Sequence, residues 1–183
     1  MSVPRKPKPR VELRGWASTQ RQAPDGAIES EQRVALPHPV VAWDADGARA
    51  LGRRYWREVE GSLLGLVRPR RAGPGLELRL LGLGPVLLRF DAPRVEASAV
   101  RVGCTYPIAG GALARRRGGE ISFVQFDGGR LELSSAIRGF FPFLAGRTGR
   151  RSLGGTLYKH VQSRIHVAIS RRYFAHLIAE ASR

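Results

Sequence analysis

Short alternating runs dominate residues 66–137, where glycine and proline separate apolar stretches that are only a few residues long. Leu76, Leu78 and Leu80 alternate with charged residues, which is the period of a half-buried strand. The segment 127–129, Asp-Gly-Gly, lies between two such runs and favours a hairpin turn, because Asp and Gly tolerate positive φ. Since no helix-length pattern interrupts the region, the sequence predicts about six antiparallel strands and argues against a parallel α/β sheet.

The segment before these strands has helical period. Apolar residues recur every four positions from Leu51 to Leu63, and arginines and glutamates occupy most of the other face. This pattern predicts an amphipathic helix over residues 45–64. Asp44 or Asp46 can cap its first turn, because a carboxylate there accepts a hydrogen bond from an otherwise unpaired amide.

The last segment, residues 156–181, also has helical period after the break at Gly154-Gly155. Successive 100° rotations place most of its apolar residues on one face and three others, Val167, Phe174 and Ile178, on the opposite side. The main apolar face consists of the residues Leu157, Tyr158, Val161, Ile165, Ala168, Ile169, Tyr173 and Ala179. The predicted fold is therefore α+β, an antiparallel sheet of about six strands with an N-terminal helix and a long C-terminal helix packed on it.

Residues 1–33 differ in composition from the rest of the chain. They are rich in Pro, Arg, Gln and Ser, and their apolar residues are too scattered to form a face. The sequence predicts a disordered basic tail over 1–33 and one α+β domain over 34–183. Residues 34–41 are expected to form a short edge strand, because two prolines interrupt them.

Charge is the main compositional signal. The net charge is +16, with 28 Arg against 3 Lys, and residues 133–179 contain no acidic residue. Such a balance favours anionic partners, namely nucleic acid, anionic lipid or an acidic ligand. An arginine-favouring genomic background is an equally good explanation of the bias, so whether the arginines are functional stays open.

Several classes of protein and site are disfavoured. Cys104 is the only cysteine and lies on the apolar face of a strand pattern, as a core thiol would. No histidine pair has the spacing of a helical zinc site, no metal site or cofactor is expected, and no nucleophile elbow or carboxylate pair indicates an enzyme. The first ten residues lack the apolar core of a secretory signal, and no apolar run is long enough to span a bilayer. We expect a cytoplasmic location.

The order of these elements, a helix, about six antiparallel strands and a long final helix, resembles the START-like helix-grip superfamily of polyketide-cyclase and lipid-transfer type. The resemblance covers residues 34–181 and depends on element order without a diagnostic motif. It implies a curved sheet around the last helix and a pocket for an apolar ligand between them. The chain departs from that pattern in its proline-broken first strand and its continuous first helix. A closed antiparallel barrel covered by the terminal helix is the alternative.

Polar residues interrupt the apolar face of the last helix. Gln162, Arg172 and His176 lie on that face, and Tyr158 lies along the same line. A buried cation needs a partner, so these four residues are predicted to bind a hydrophobic or amphipathic, anionic small molecule between helix and sheet. In the alternative interpretation the helix end protrudes beyond the sheet, and Arg172 and His176 are in water or pair with Glu132 or Glu120.

A second group of arginines predicts an electrostatic surface for nucleic acid or an anionic membrane. It consists of Arg115, Arg116, Arg117, Arg147, Arg150 and Arg151. The first three lie in a glycine-bracketed turn, and the others follow the aromatic stretch 139–144, which is expected to supply core, a pocket mouth or a surface contact. A protein–protein interaction module is a third hypothesis, and the oligomeric state is open.

Overall fold

The computed structural model describes residues 12–142 and 153–182, without the side chains of residues 153–164. The elements in chain order are β1 (Ala17–Gln22), β2 (Ile28–Ala35), α1 (Ala45–Ser62), β3 (Val67–Ala72), β4 (Gly75–Leu80), β5 (Val86–Phe90), β6 (Arg94–Ala97), β7 (Arg101–Gly110), β8 (Glu120–Asp127), β9 (Leu131–Phe140) and α2 (Leu153–Ala181). The α+β class is as predicted.

The strands of the described part form one antiparallel sheet in the order β1-β2-β9-β8-β7-β5-β4-β3. β7 is long enough to pair with two successive strands on the same edge, with β6 through residues 102–105 and with β5 through residues 108–110. The sheet has nine strands, so the prediction of about six was too low. Helix α1 contacts β3, β6, β7 and β8, and α2 packs against α1 and β2.

Two of the additional strands lie in the predicted disordered tail. β1 pairs with β2, and β2 pairs with β9, so both strands belong to the sheet and the predicted boundary at residue 33 falls inside β2. Only the last two residues of β2 coincide with the edge strand predicted over 34–41, and β2 is not at an edge. The sequence lacks the alternating apolar pattern of a strand here, because two of the inward residues of β2 are polar, Ser30 and Gln32. They satisfy each other, since the Gln32 amide donates to the Ser30 hydroxyl at 2.8 Å. Residues 1–11 lie outside the described residues.

The first helix agrees with its prediction to within two residues at its end. Asp44 is the N-cap, and its carboxylate accepts a hydrogen bond from the Gly47 amide at 2.7 Å. Such a cap satisfies one of the amides that have no partner inside the helix. Leu51, Tyr55 and Val59 are buried, as their spacing predicts.

The second helix exists as predicted, and Tyr173 of its predicted apolar face is buried, but the buried face extends further around the helix. Phe174 and Ile178, assigned to the far side from periodicity, are buried, whereas Ile165 of the predicted face is 37% exposed. The reason is that α2 packs against both α1 and the sheet. It therefore buries a broad stripe, which includes Tyr173 and Leu177.

Aromatic side chains join the two helices to the sheet. The rings of Tyr55 and Phe123 have centroids 4.2 Å apart, and Tyr173 lies 5.4 Å from Tyr55 with the rings nearly perpendicular. The Tyr173 hydroxyl donates to the Leu51 carbonyl at 3.1 Å, so its polar end is satisfied. Cys104 is fully buried and free, as predicted, and burial raises the pKa of its thiol.

A polar pair, Tyr55 and His166, also links α1 to α2. The Tyr55 hydroxyl and His166 Nδ1 are 3.0 Å apart. His166 Nε2 is buried and has no hydrogen-bond partner among the residues described. Burial therefore lowers the pKa of His166 to about 4, because the charged imidazolium would lose its hydration.

This shift makes folding depend on pH. The unfolded chain protonates His166 near its ordinary pKa of 6.5, whereas the folded chain resists protonation down to about 4. The unfolded state thus binds more protons in this window, and the free energy of unfolding falls as pH drops. We expect the stability advantage of the wild type over His166→Asn to shrink by at most about 2 kcal/mol between pH 7 and pH 5. Urea unfolding at both pH values measures it, and a difference that is constant with pH would contradict it.

Candidate functional site

Two of the four predicted pocket residues lie on the surface. The side chains of Arg172 and His176 are 55% and 47% exposed, and both pair with Glu58 on α1. Arg172 Nε is 3.9 Å from Glu58 Oε2, and His176 Nδ1 contacts Glu58 Oε1. The prediction that they project into an apolar interior is wrong. The alternative placed both residues at the surface, as the structure does, but its partners are wrong, because the glutamate is Glu58 on α1 and not Glu132 or Glu120.

The remaining predicted residues fall into two groups. The side chains of Tyr158 and Gln162 are not described, and Arg147, Arg150 and Arg151 lie outside the described residues. The turn arginines 115–117 are exposed. Arg116 stacks on the ring of Phe141 at 3.6 Å from its centroid and lies 3.7 Å from Asp25.

A cleft of about 490 Å³ opens elsewhere, between α1 and the β3–β4 hairpin. Its lining residues are Arg53, Trp56, Arg57, Pro69, Arg71, Gly73, Pro74, Gly75, Leu76, Pro93 and Tyr106. They combine three cations with aromatic and aliphatic walls. None of these lining residues, all in the described part of the chain, is acidic.

The three arginines come from two elements that are distant in sequence. Arg53 and Arg57 are one turn apart on α1, and Arg71 is on β3 opposite them. None of the three forms an ion pair with any of the described residues, although the structure has many other arginine–carboxylate pairs. Like charges at this spacing on a helix repel each other, so the cleft has a positive potential that an anion would relieve.

Aromatic side chains form the base of the cleft. Trp56 and Tyr106 are nearly buried, and their rings meet edge to face with centroids 5.2 Å apart. The Trp56 indole Nε1 is buried and lies outside hydrogen-bond geometry with every described group. Burial raises the pKa of the Tyr106 hydroxyl, and the positive charge of Arg53 acts in the opposite direction. Tyr106 therefore stays neutral and can donate a hydrogen bond.

Glycines allow the walls to approach one another closely. A Cβ atom at residue 52 would lie 2.5 Å from the Tyr106 hydroxyl, and one at residue 75 would lie 2.2 Å from the Phe90 carbonyl oxygen. Gly73, at φ 56°, and Pro74 form the two-residue turn of the β3–β4 hairpin. Glycine permits that φ and proline fixes its own, so the outer wall is a rigid hairpin.

Metal sites and membrane-spanning helices have no support in the described part of the chain. Within residues 12–142 and 153–182, no group of three or more His, Cys, Asp or Glu side chains could hold a metal ion. In the same residues, neither helix is long and apolar enough to cross a membrane.

Comparison with known proteins gives no relative for this chain. No family model matches it, and neither do the curated proteins or the solved structures. The resemblance to the START-like helix-grip superfamily therefore stays a prediction.

The sequence contains a partial signal for the cleft. Arg53 and Arg57 belong to the solvated face that the helical period of α1 predicts. Arg71 ends a strand just before a glycine–proline turn, and nothing local relates it to α1. Only the pairing of β3 with β4 and the packing of α1 against β3 bring the three together.

Proposed function

We propose that the chain binds a small organic anion with an apolar part, such as an aryl or alkyl phosphate or carboxylate, in the cleft between α1 and the β3–β4 hairpin. The observation that carries the proposal is the meeting of Arg53, Arg57 and Arg71 in a cleft whose lining includes no carboxylate. Guanidinium groups bind carboxylate and phosphate with paired hydrogen bonds. The ligand would supply the missing counter-charge.

The apolar walls decide what kind of anion is favoured. Trp56, Leu76 and the prolines offer surface to an aromatic or aliphatic group, whereas inorganic phosphate would use only the arginines. The cleft volume falls within the ordinary range for small-molecule sites, about 300–1,000 Å³. The ligand class is the one expected from sequence, a hydrophobic or amphipathic anion, but the proposed place is different.

Titration with 1-naphthyl phosphate tests the proposal. We expect the indole N–H signal of Trp56 to shift as the naphthyl group contacts the base of the cleft, and the affinity to exceed that for inorganic phosphate. No shift of that signal at millimolar ligand would overturn the proposal.

A further inference from the structure

Exposed leucines gather at the end of the molecule where α1 leads into β3 and where β4 turns into β5. Leu64 and Leu83 are 91% and 89% exposed, and Leu66 and Leu81 are 54% and 60% exposed. We call these four residues the leucine tip. None of them lines the arginine cleft, so an inference about the tip is independent of the proposed function.

A backbone hydrogen bond holds the two turns side by side, because the Leu81 amide donates to the Leu66 carbonyl at 2.7 Å. Within the β4–β5 turn, the Gly84 amide donates to the Leu80 carbonyl at 2.8 Å. Leu64 and Leu81 both have φ of 51°, a left-handed conformation that is unfavourable for most residues other than Gly, Asn and Asp. Each of these leucines thus occupies a strained backbone conformation while its side chain is mostly exposed to water. Packing in the core of this chain therefore does not explain why leucine occurs at these positions.

Arginines stand directly behind the tip on one face of the β3–β4 hairpin. Arg68 lies opposite Arg79 in the strand register, next to the outermost residue pair of the hairpin on the side of the tip. Their Cα atoms are therefore about 3 Å further from the tip than those of that outermost pair. Arg70 also reaches forward, because its guanidinium lies 3.1 Å from where a Cβ atom on Gly82 would be. Glu77 pairs with Arg79 at 2.8 Å and Glu60 lies 3.9 Å from Arg68, whereas Arg70 forms no ion pair with a described residue. The surface therefore has an apolar layer in front of a cationic layer whose charge is partly balanced by these two carboxylates and stays net positive.

We propose that the leucine tip inserts into the surface of an anionic lipid bilayer. In this arrangement the leucines reach the boundary of the acyl chains, and Arg68, Arg70 and Arg79 lie at the level of anionic headgroups. Charge favours the bilayer over an apolar protein groove, because the cationic layer follows the tip at the depth where headgroup phosphates would be, and the chain carries a net charge of +16.

Co-sedimentation with vesicles tests this proposal on the full chain. We expect binding to vesicles of phosphatidylcholine with 30% phosphatidylserine and at least tenfold weaker binding to phosphatidylcholine alone. The variant Leu64→Asn/Leu81→Asn/Leu83→Asn should lose at least tenfold in affinity for the anionic vesicles, because less apolar surface is buried. Asn also tolerates the left-handed backbone, so the turns should keep their shape.

The controls separate insertion of the tip from attraction by charge alone and from self-association. Val100→Asn removes an apolar side chain that is 56% exposed in the β6–β7 turn, and it should leave vesicle binding unchanged. Equal binding by the wild type and the tip variant would overturn the proposal and indicate attraction by charge alone. A wild type that fails to bind anionic vesicles would also overturn it, as would self-association in lipid-free sedimentation that the tip variant abolishes.

Discussion

Replacing Arg53, Arg57 and Arg71 together by glutamine is expected to weaken binding of 1-naphthyl phosphate by about 30- to 100-fold. Each guanidinium would contribute a charge-assisted hydrogen bond, and three such bonds at a partly solvated site correspond to about 2–3 kcal/mol after screening by water and salt. Isothermal titration calorimetry measures the loss. The three arginines of the cleft are exposed and form no ion pair with any described residue, so we expect the variant to fold.

Stability distinguishes a binding role from a structural one. Arg53 and Arg57 repel each other at their helical spacing, so their neutralisation should leave the free energy of unfolding unchanged or raise it by a few tenths of a kcal/mol. The matched control is the triple variant at Arg115, Arg116 and Arg117, which removes the same charge from residues that do not line the cleft. If that control loses as much affinity as the cleft variant, the anion binds through net charge and the assigned cleft is wrong.

The second large effect concerns the buried face of α2. Phe174→Ala is expected to lower the free energy of unfolding by about 3–5 kcal/mol, because a large buried ring is deleted. Phe174 is fully buried, with its ring centroid 5.9 Å from that of Trp16 and 5.5 Å from that of Tyr173. Urea denaturation followed by circular dichroism measures the change.

Ile165→Ala is the matched control for the helix face. Helical periodicity predicts that Ile165 is buried and Phe174 exposed, whereas in the structure Ile165 is exposed and Phe174 is buried. We expect Ile165→Ala to cost less than about 1 kcal/mol, since the side chain already contacts water. A larger loss for Ile165→Ala than for Phe174→Ala would show that α2 is rotated from the orientation described.

The elements whose inward residues are apolar are predictable from sequence. Helix α1 is one of them, because Leu51, Tyr55 and Val59 repeat at helical spacing and a capping Asp44 precedes them. Strand β2 is not, because Ser30 and Gln32 face inward, where a hydrogen bond between their side chains replaces apolar burial. A search for alternating apolar residues therefore misses such a strand.

The site is less predictable than the fold. On α2, apolar residues occur around most of the helix, so periodicity alone cannot choose the face that contacts α1 and the sheet. Periodicity consequently places Arg172 and His176 inward, although Glu58 from a distant helix pairs with both at the surface. The cleft arginines depend on the same kind of long-range packing, because Arg71 reaches Arg53 and Arg57 only through the position of β3.

The identity of the ligand class can be narrowed with three related probes. 1-Naphthyl phosphate has both an anion and an apolar ring, whereas 1-naphthol lacks the phosphate and inorganic phosphate lacks the ring. We expect the first to bind at least about tenfold more tightly than either of the others, because only it uses both the arginines and the walls of the cleft. Equal affinities for 1-naphthyl phosphate and inorganic phosphate would show that the cleft binds anions through charge alone and would contradict the proposed role of its apolar walls.

The most direct test of the central claim is a titration of the chain with 1-naphthyl phosphate, followed through its three tryptophan indole N–H signals in ¹H–¹⁵N NMR spectra. Substitution of each tryptophan by phenylalanine assigns the signals of Trp16, Trp43 and Trp56. The proposed cleft predicts that the Trp56 signal shifts with saturation while those of Trp16 and Trp43 stay in place. Saturable shifts confined to Trp16 or Trp43, or no shift of any of the three, would contradict it.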